Sequence, residues 1–246
     1  METKFEKIKE LINNALSEGR HSLLAPEAMV MLSIMGISMP SFCLANSIEE
    51  AQEIAEALGY PVALKIVSPD IIHKSDVGGV KLNLLNKDQV SENFKEIQKN
   101  VREKAPKARI FGIMVQKMVP SATEVVIGAL RDKQFGPVIM FGLGGIFIEI
   151  IKDVSFRIAP LNKDDALEMI KEIKGYPLLL GYRGSPKLDI NAVADTIVKI
   201  SELMMKVDEI DQLDLNPILV YTSGLMVVDA RVILSHNAGE LHGRES

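Results

Sequence analysis

The chain of 246 residues has no tryptophan, and its eight phenylalanines and four tyrosines leave it only 5% aromatic. Its core must therefore be built from branched aliphatics and the 12 methionines, side chains that interdigitate between layers. A single cysteine, Cys43, excludes an intramolecular disulfide and fits a reducing compartment, where a lone thiol is expected to pack as a small buried hydrophobe. A basic excess is also missing: 28 Lys and Arg stand against 33 Asp and Glu, a net charge of −5. That balance excludes the electrostatic footprint of a nucleic-acid binder or of a protein held on an anionic membrane. No segment approaches the roughly 20 apolar residues that cross a bilayer. The opening Met1–Lys7 carries both signs of charge and no apolar signal core, so the expected location is the cytoplasm. What is present is ordinary: 47% hydrophobic and 25% charged residues, enough chain for one large domain or two lobes.

Periodicity sets out the elements. Phe5, Ile8, Ile12 and Ala15 recur at helical spacing, and Glu27–Ile37 reads as a buried helix after Pro26, giving N-terminal helices over 1–40. Ser47-Ile48-Glu49-Glu50 has the form of a capping box, and Gly59 closes the helix it opens. Pro61–Val67 predicts a short buried strand, and Gly79–Leu84 alternates as a half-buried one. Asn86 caps a helix carrying Val90, Phe94, Ile97 and Val101, and Phe111–Val119 is again a strand. The order β, loop, β, α, β predicts a smaller α+β lobe over about 41–118, left at Pro120-Ser121. A larger lobe follows over about 119–236. Its strands are Val125–Leu130, Val138–Phe141, Ile146–Ile151 and the final pair Leu215–Tyr221 and Leu225–Val232, with helices opened by Asn162 and Asp189. Residues 237–246 read as a loose tail.

Several residues could carry chemistry. His73 stands in Pro69-Asp70-Ile71-Ile72-His73-Lys74-Ser75-Asp76-Val77-Gly78-Gly79-Val80, a polar loop just past the strand. A neutral imidazole there can attack phosphorus, act as a base, or only be solvated. Lys65 emerges from an apolar strand, where an ammonium either reaches water or meets an anion. Gly78-Gly79 can let backbone amides approach a phosphate or simply make a tight turn. In Asp214-Leu215-Asn216-Pro217, Asp214 and Asn216 are two apart and share a strand face, and Asp229 lies on the returning strand. That oxygen set suits Mg²⁺ completed by a nucleotide's phosphates; the same residues could merely end a strand. Gly142-Leu143-Gly144-Gly145 lacks the further glycine and following helix of a dinucleotide fingerprint. Arg157, beyond this glycine-rich segment, is a guanidinium of the kind that matches phosphate, or a surface cation.

In order, Leu64-Lys65-Ile66, the His73–Val80 loop, Val154-Ser155-Phe156-Arg157-Ile158-Ala159-Pro160-Leu161 and Asp214-Leu215-Asn216-Pro217 resemble the nucleotide-binding (beta) subunit of ADP-forming acetyl-CoA synthetases, ATP-grasp proteins related to succinyl-CoA synthetase. The resemblance runs from about Leu23 to Leu234. It implies a single ATP-grasp domain over 1–246, of mixed α+β and α/β character, with two lobes enclosing a nucleotide cleft. The implied reaction is acyl-CoA plus ADP and phosphate giving acid, CoA and ATP, reversibly, through a phosphohistidine relay in which His73 matches the beta-subunit carrier.

The resemblance further implies that Arg157 contacts the transferred group and that Lys65, with Gly78 and Gly79, binds nucleotide phosphates. Gln116, Lys117 and Met118 would edge the adenine, Glu124 would take the ribose hydroxyls, and Asp214, Asn216 and Asp229 would hold Mg²⁺. Gln116 departs from the acidic residue many ATP-grasp proteins carry there. The chain has no separate CoA-binding domain, so an alpha subunit bringing CoA, acyl phosphate and its own histidine is implied, as alpha-two beta-two. Two other readings stay open: a self-contained ATP-grasp carboxylate ligase, and a nucleotide-binding subunit without catalysis.

Overall fold

The computed structural model describes residues 3–71, 73–145 and 152–235. In chain order the helices are α1 (Lys4–Ser17), α2 (Ala25–Ile34), α3 (Ile48–Leu58), α4 (Lys87–Lys104), α5 (Lys163–Glu172), α6 (Tyr176–Leu179) and α7 (Ile190–Lys206). The strands are β1 (Phe42–Ala45), β2 (Val62–Val67), β3 (Val80–Leu84), β4 (Gly112–Lys117), β5 (Thr123–Asp132), β6 (Gly136–Leu143), β7 (Val154–Ile158), β8 (Ile210–Val220), β9 (Leu225–Val227) and β10 (Ala230–Leu234). None of these helices is long and apolar enough to cross a membrane. Chain contacts divide the described residues into two units, one of 24–26 and 40–120, the other of those up to 23, 27–39 and from 121 onward. The N-terminal helices thus group with the larger unit instead of forming a piece of their own.

The smaller unit is a four-stranded antiparallel sheet in the order β1-β4-β2-β3. Val62, Leu64 and Ile66 of β2 project to one face, where they form a core with Ala51, Phe94 and Ile97 of α3 and α4. Val67 and Met114 face the other way and pack with Leu24 and Ala25. The helix starts follow from their caps. The Ser47 hydroxyl accepts the Glu50 N–H at 3.1 Å, and Asn86 Oδ1 accepts the Gln89 N–H at 2.9 Å, each satisfying a donor that has no partner inside its helix. The reciprocal half of the expected capping box is displaced, because Glu50 accepts the Asn46 N–H at 2.7 Å. Strand β1 is too short to stand out in the sequence. It is an edge strand, and the register that buries Ala45 leaves Cys43 exposed near its outer end, so the thiol is not the packed hydrophobe its rarity suggests.

The larger unit is a six-stranded antiparallel sheet, β10-β8-β5-β6-β7 with β9 also on β8. Helices α5 and α7 cover one face. Ser155 Oγ donates to the Met169 carbonyl of α5 at 2.8 Å, and Arg131 Nη2 donates to the Met204 carbonyl of α7 at 2.7 Å. The opposite face is open, with Leu130, Phe156 and Ile158 45, 53 and 51% exposed. The final strands differ from their sequence outline: β8 begins five residues earlier, and its return is split into β9 and β10 around Val228-Asp229. The strand expected over Ile146–Ile151 and the tail 237–246 lie outside the described residues.

Candidate functional site

The open face of the larger sheet is where the acidic constellation assembles. On β8 the alternation turns Leu213 and Leu215 into the core and leaves Asp214 and Asn216 on the outer side. The Asn216 N–H donates to the Asp229 carbonyl at 3.2 Å, which sets Asp229 directly across from Asn216, and Arg231 is the register partner of Asp214. The three sequence-derived metal residues therefore converge, two on β8 and Asp229 just before β10. Asp214 keeps an exposed edge, yet the surrounding sheet desolvates its carboxyl and raises its pKa; the Asp229 charge adds to the rise and Arg231 opposes it. Two carboxylates crowded in this way beside an amide oxygen fit a hard divalent cation that neutralises both. Among the described residues no three His, Cys, Asp or Glu side chains cluster as a metal cage, so the donor set suits Mg²⁺ completed by a ligand's oxygens and does not suit a structural zinc.

Glu124 sits on the same face, at the end of β5 where the Gly144 N–H donates to its carbonyl at 2.8 Å. A Cβ on Gly144 would stand 2.8 Å from Glu124 Cβ, so the glycine-rich turn serves close packing against this residue. Glu124, Gly144 and Gly145 line a cavity of about 850 Å³ with Thr123, Tyr182 and Tyr221, large enough for a nucleoside-sized ligand.

Arg157 is not part of this face. It alternates with exposed Phe156 on β7 and turns toward α5, where Nη1 donates to Glu172 Oε2 at 2.9 Å and Nη2 to Oε1. Strand parity is the reason: Ser155 and Arg157 both point to the helix side. Among the described residues the cation opposite Asp214 on the open face is instead Arg231, which sequence reasoning missed although it lies two residues beyond Asp229 and so on the same side.

His73 is exposed in the loop between β2 and β3. The loop is tied at both ends. Ile71 is buried in the smaller unit's core, and the Asp70 carboxylate accepts the Arg109 backbone N–H at 2.8 Å and its guanidinium at 2.8 and 3.1 Å. The Arg109 hydrogen bonds hold the Asp70 carboxyl below its usual pKa. This anchor is complete above the ordinary carboxylate range and is lost as pH falls through the lowered value. At the far end Lys104 Nζ donates to the Asp76 carbonyl at 3.1 Å.

Gly78 and Gly79 do not offer their amides to a phosphate in this arrangement. The Gly78 N–H donates to the Ser75 carbonyl at 2.9 Å and the Gly79 N–H to the Lys74 carbonyl at 2.7 Å. Gly78 has φ +67° and a Cβ there would meet Asn100 Nδ2 at 2.6 Å, while one on Gly79 would strike Ile66 Cγ2 and lie 2.9 Å from the Lys74 carbonyl. The pair is what lets the His73 loop close on β2 and α4. Gly79→Val should accordingly lower stability by about 1–3 kcal/mol through overpacking, read as a lower urea midpoint with unchanged slope.

In the smaller sheet Lys65 and Gln116 share the face opposite α3 and α4, only 5 and 1% exposed. Lys117 points the other way: its ammonium donates to the Gly59 and Tyr60 carbonyls at 2.8 and 2.9 Å, bracing the end of α3. The Lys117 N–H donates to the Ser41 carbonyl at 2.9 Å and the Met118 N–H to the Pro61 carbonyl at 3.1 Å, while Met118 Sδ accepts the Asn83 N–H at 3.0 Å. Of the expected adenine edge, these two amides and the Lys117 side chain are already committed within the sheet.

Comparison with known proteins fits this arrangement. The model of the ATP-grasp domain matches residues 14–234. The acetate–CoA ligase [ADP-forming] I subunit beta of Pyrococcus furiosus is 50% identical over 93% of this chain and 98% of its own length. Acetate–CoA ligase [ADP-forming] I of Archaeoglobus fulgidus is 47% identical over 93% of this chain but only 33% of its own length, so there the matching region is part of a longer polypeptide. A solved acetyl-coenzyme A synthetase 1 from Candidatus Korarchaeum cryptofilum is 44% identical, covering 93% of this chain and 100% of that one, with a TM-score of 0.82. That structure holds coenzyme A and Mg-AMPPCP, with its phosphohistidine segment pointing towards the nucleotide binding site. From the β8–β10 carboxylates to the histidine loop, the chain belongs to the ATP-grasp family and, within it, to the beta subunits of the ADP-forming acetate–CoA ligases.

Proposed function

We propose that this chain is the nucleotide-binding subunit of an ADP-forming acyl-CoA synthetase, which converts acyl-CoA, ADP and phosphate to acid, CoA and ATP together with an alpha subunit. The observation that carries the reading is the exposed imidazole of His73 on a loop fixed at both ends. A nucleophile held in this way can accept a phosphoryl group and keep it activated while its backbone stays in register. In the ATP-forming direction His73 takes the group from the alpha subunit and passes it to ADP.

Asp214, Asn216 and Asp229 would hold Mg²⁺, which when bound supplies charge neutralisation to the nucleotide's phosphates. Lys65, an ammonium on an otherwise apolar strand, offers its charge to the same phosphates, and Glu124 accepts hydrogen bonds from the ribose hydroxyls. Backbone carbonyls of Gln116–Met118 are the groups of that stretch assigned to the adenine edge. CoA and the acyl phosphate belong to the alpha subunit, the assembly is alpha-two beta-two, and its compartment is the cytoplasm.

Three measurements on the purified chain, one of them repeated with the alpha subunit, test this. Calorimetry should detect binding of Mg·ADP, and no ATP should form from acetyl-CoA, ADP and phosphate until the alpha subunit is added. Incubation with Mg·[γ-³²P]ATP should leave acid-labile, base-stable label at His73. Turnover by the chain alone would favour a self-contained ligase, and binding without label would favour a subunit that senses nucleotide without transferring phosphate.

A further inference from the structure

We propose that Arg231 is the guanidinium that engages the phosphoryl group in transit on this chain, an inference that rests on the phosphoryl-transfer reading above. Arg231 stands on β10 opposite Asp214 and two residues from Asp229, so strand alternation puts it on the same face as the metal-type oxygens. It lines a groove of about 200 Å³ together with Asp214, Gly128, Met140 and Phe156. Across that face the register aligns Phe156, Met140, Gly128, Asp214 and Arg231 in one row and Ile158, Val138, Leu130, Gln212 and Ile233 in the next. Arg231 is the one cation in these two rows.

Three other guanidinia are spoken for. Arg20 is held by Glu27, Arg109 by Asp70 and Arg157 by Glu172, each through paired donors. Among the described residues Arg231 is held in no such fork. It stands across the strand pair from Asp214, on the face where an incoming anion would meet the metal-type oxygens. The groove floor helps, because Gly128 carries no side chain there and a Cβ would come within 3.1 Å of Met140 Cε.

The chemistry asks for such a group. In the ATP-forming direction a β-phosphate oxygen of ADP supplies the electron pair of the new O–P bond. The P–N bond of the phosphohistidine breaks, its pair returns to the imidazole nitrogen, and that nitrogen takes a proton from solvent. Charge is then spread over the three equatorial oxygens of the moving group, where a bidentate guanidinium stabilises it better than a point charge does.

The test is the rate of label transfer from Mg·[γ-³²P]ATP to His73 in the full chain, read beside Mg·ADP affinity by calorimetry at saturating Mg²⁺. Arg231→Gln should slow labelling about 100-fold, the loss typical of one transition-state donor, while Mg·ADP affinity stays within about 3-fold. Arg231→Lys should fall between Gln and wild type, because charge is restored without the fork. Unchanged thermal midpoints would show that both variants fold. Arg231→Gln labelling within about 3-fold of wild type overturns the inference. So does an equal loss of rate and of Mg·ADP affinity, which would make Arg231 a ground-state binding residue. If wild type neither binds Mg·ADP nor takes label, the phosphoryl-transfer reading itself has failed, whatever the variants do.

Discussion

His73→Asn should abolish ATP synthesis by the assembled enzyme, with a loss of at least about 10⁴-fold, because the proposed covalent carrier is removed and not just weakened. An asparagine amide keeps the polarity and approximate size of the ring, and among the described residues His73 contributes its carbonyl to the loop's hydrogen bonding: the Asp76 N–H donates to it at 3.2 Å. The loop's anchors at Ile71, Asp70 and Asp76 are therefore untouched, and Mg·ADP affinity and thermal midpoint should match wild type. Coupled-enzyme detection of ATP from acetyl-CoA, ADP and phosphate, run beside calorimetry, separates the two. An Asn variant that kept more than a few percent of wild-type turnover would mean that phosphate reaches the nucleotide without this imidazole.

Asp214→Asn is expected to move stability and activity in opposite directions. The Asp214 carboxyl is raised in pKa by burial and by the charge of Asp229, so the folded chain holds its proton to higher pH than the unfolded chain does. Stability therefore falls as pH climbs from the ordinary carboxylate range through the raised value, and the destabilisation is complete above that value. Replacing the carboxylate by a neutral amide removes it, and the thermal midpoint of the Mg²⁺-free variant at pH 7 should rise.

On the proposed reading, the same substitution deletes the charge of an oxygen that would hold Mg²⁺. A metal's stabilisation of phosphoryl charge amounts to several kcal/mol, so ATP formation at fixed Mg²⁺ should drop about 10³-fold. Differential scanning fluorimetry with and without Mg·ADP, beside the turnover assay, reads both effects. A lower midpoint for the metal-free variant would show that Asp214 is a structural partner of Arg231. Arg157 stands in contrast: its fork to Glu172 joins β7 to α5, and its replacement should be felt in the stability of that contact.

Much of this was legible in one dimension. Apolar periodicity placed α4 and α7 with their buried stripes of Val90, Phe94, Ile97 and Val101 and of Val193, Ile197, Ile200 and Met204, because helix burial is written in nearest neighbours along a turn. Alternation on β8 placed Asp214 and Asn216 on one side, since a strand's period of two depends on local backbone geometry alone. Edge strand β1 was missed, as four residues with an exposed cysteine carry too little pattern to mark a strand.

The sequence alone determined which chemistry the chain can perform. It supplied an imidazole next to a strand, a pair of carboxylates with an amide, a lone ammonium in an apolar run, and too few aromatics or cations for a nucleic-acid surface. Only tertiary structure decided which side chains meet. Strand parity against the helices sent Arg157 to the covered side and Arg231 to the open one, loop closure turned Gly78 and Gly79 from amide donors into spacers, and register across β8 and β10 joined Asp229 to Asn216. The physical reason is that residue type and short-range spacing fix what a group can do, whereas its neighbours across a sheet come from hydrogen-bond register between segments far apart in the chain.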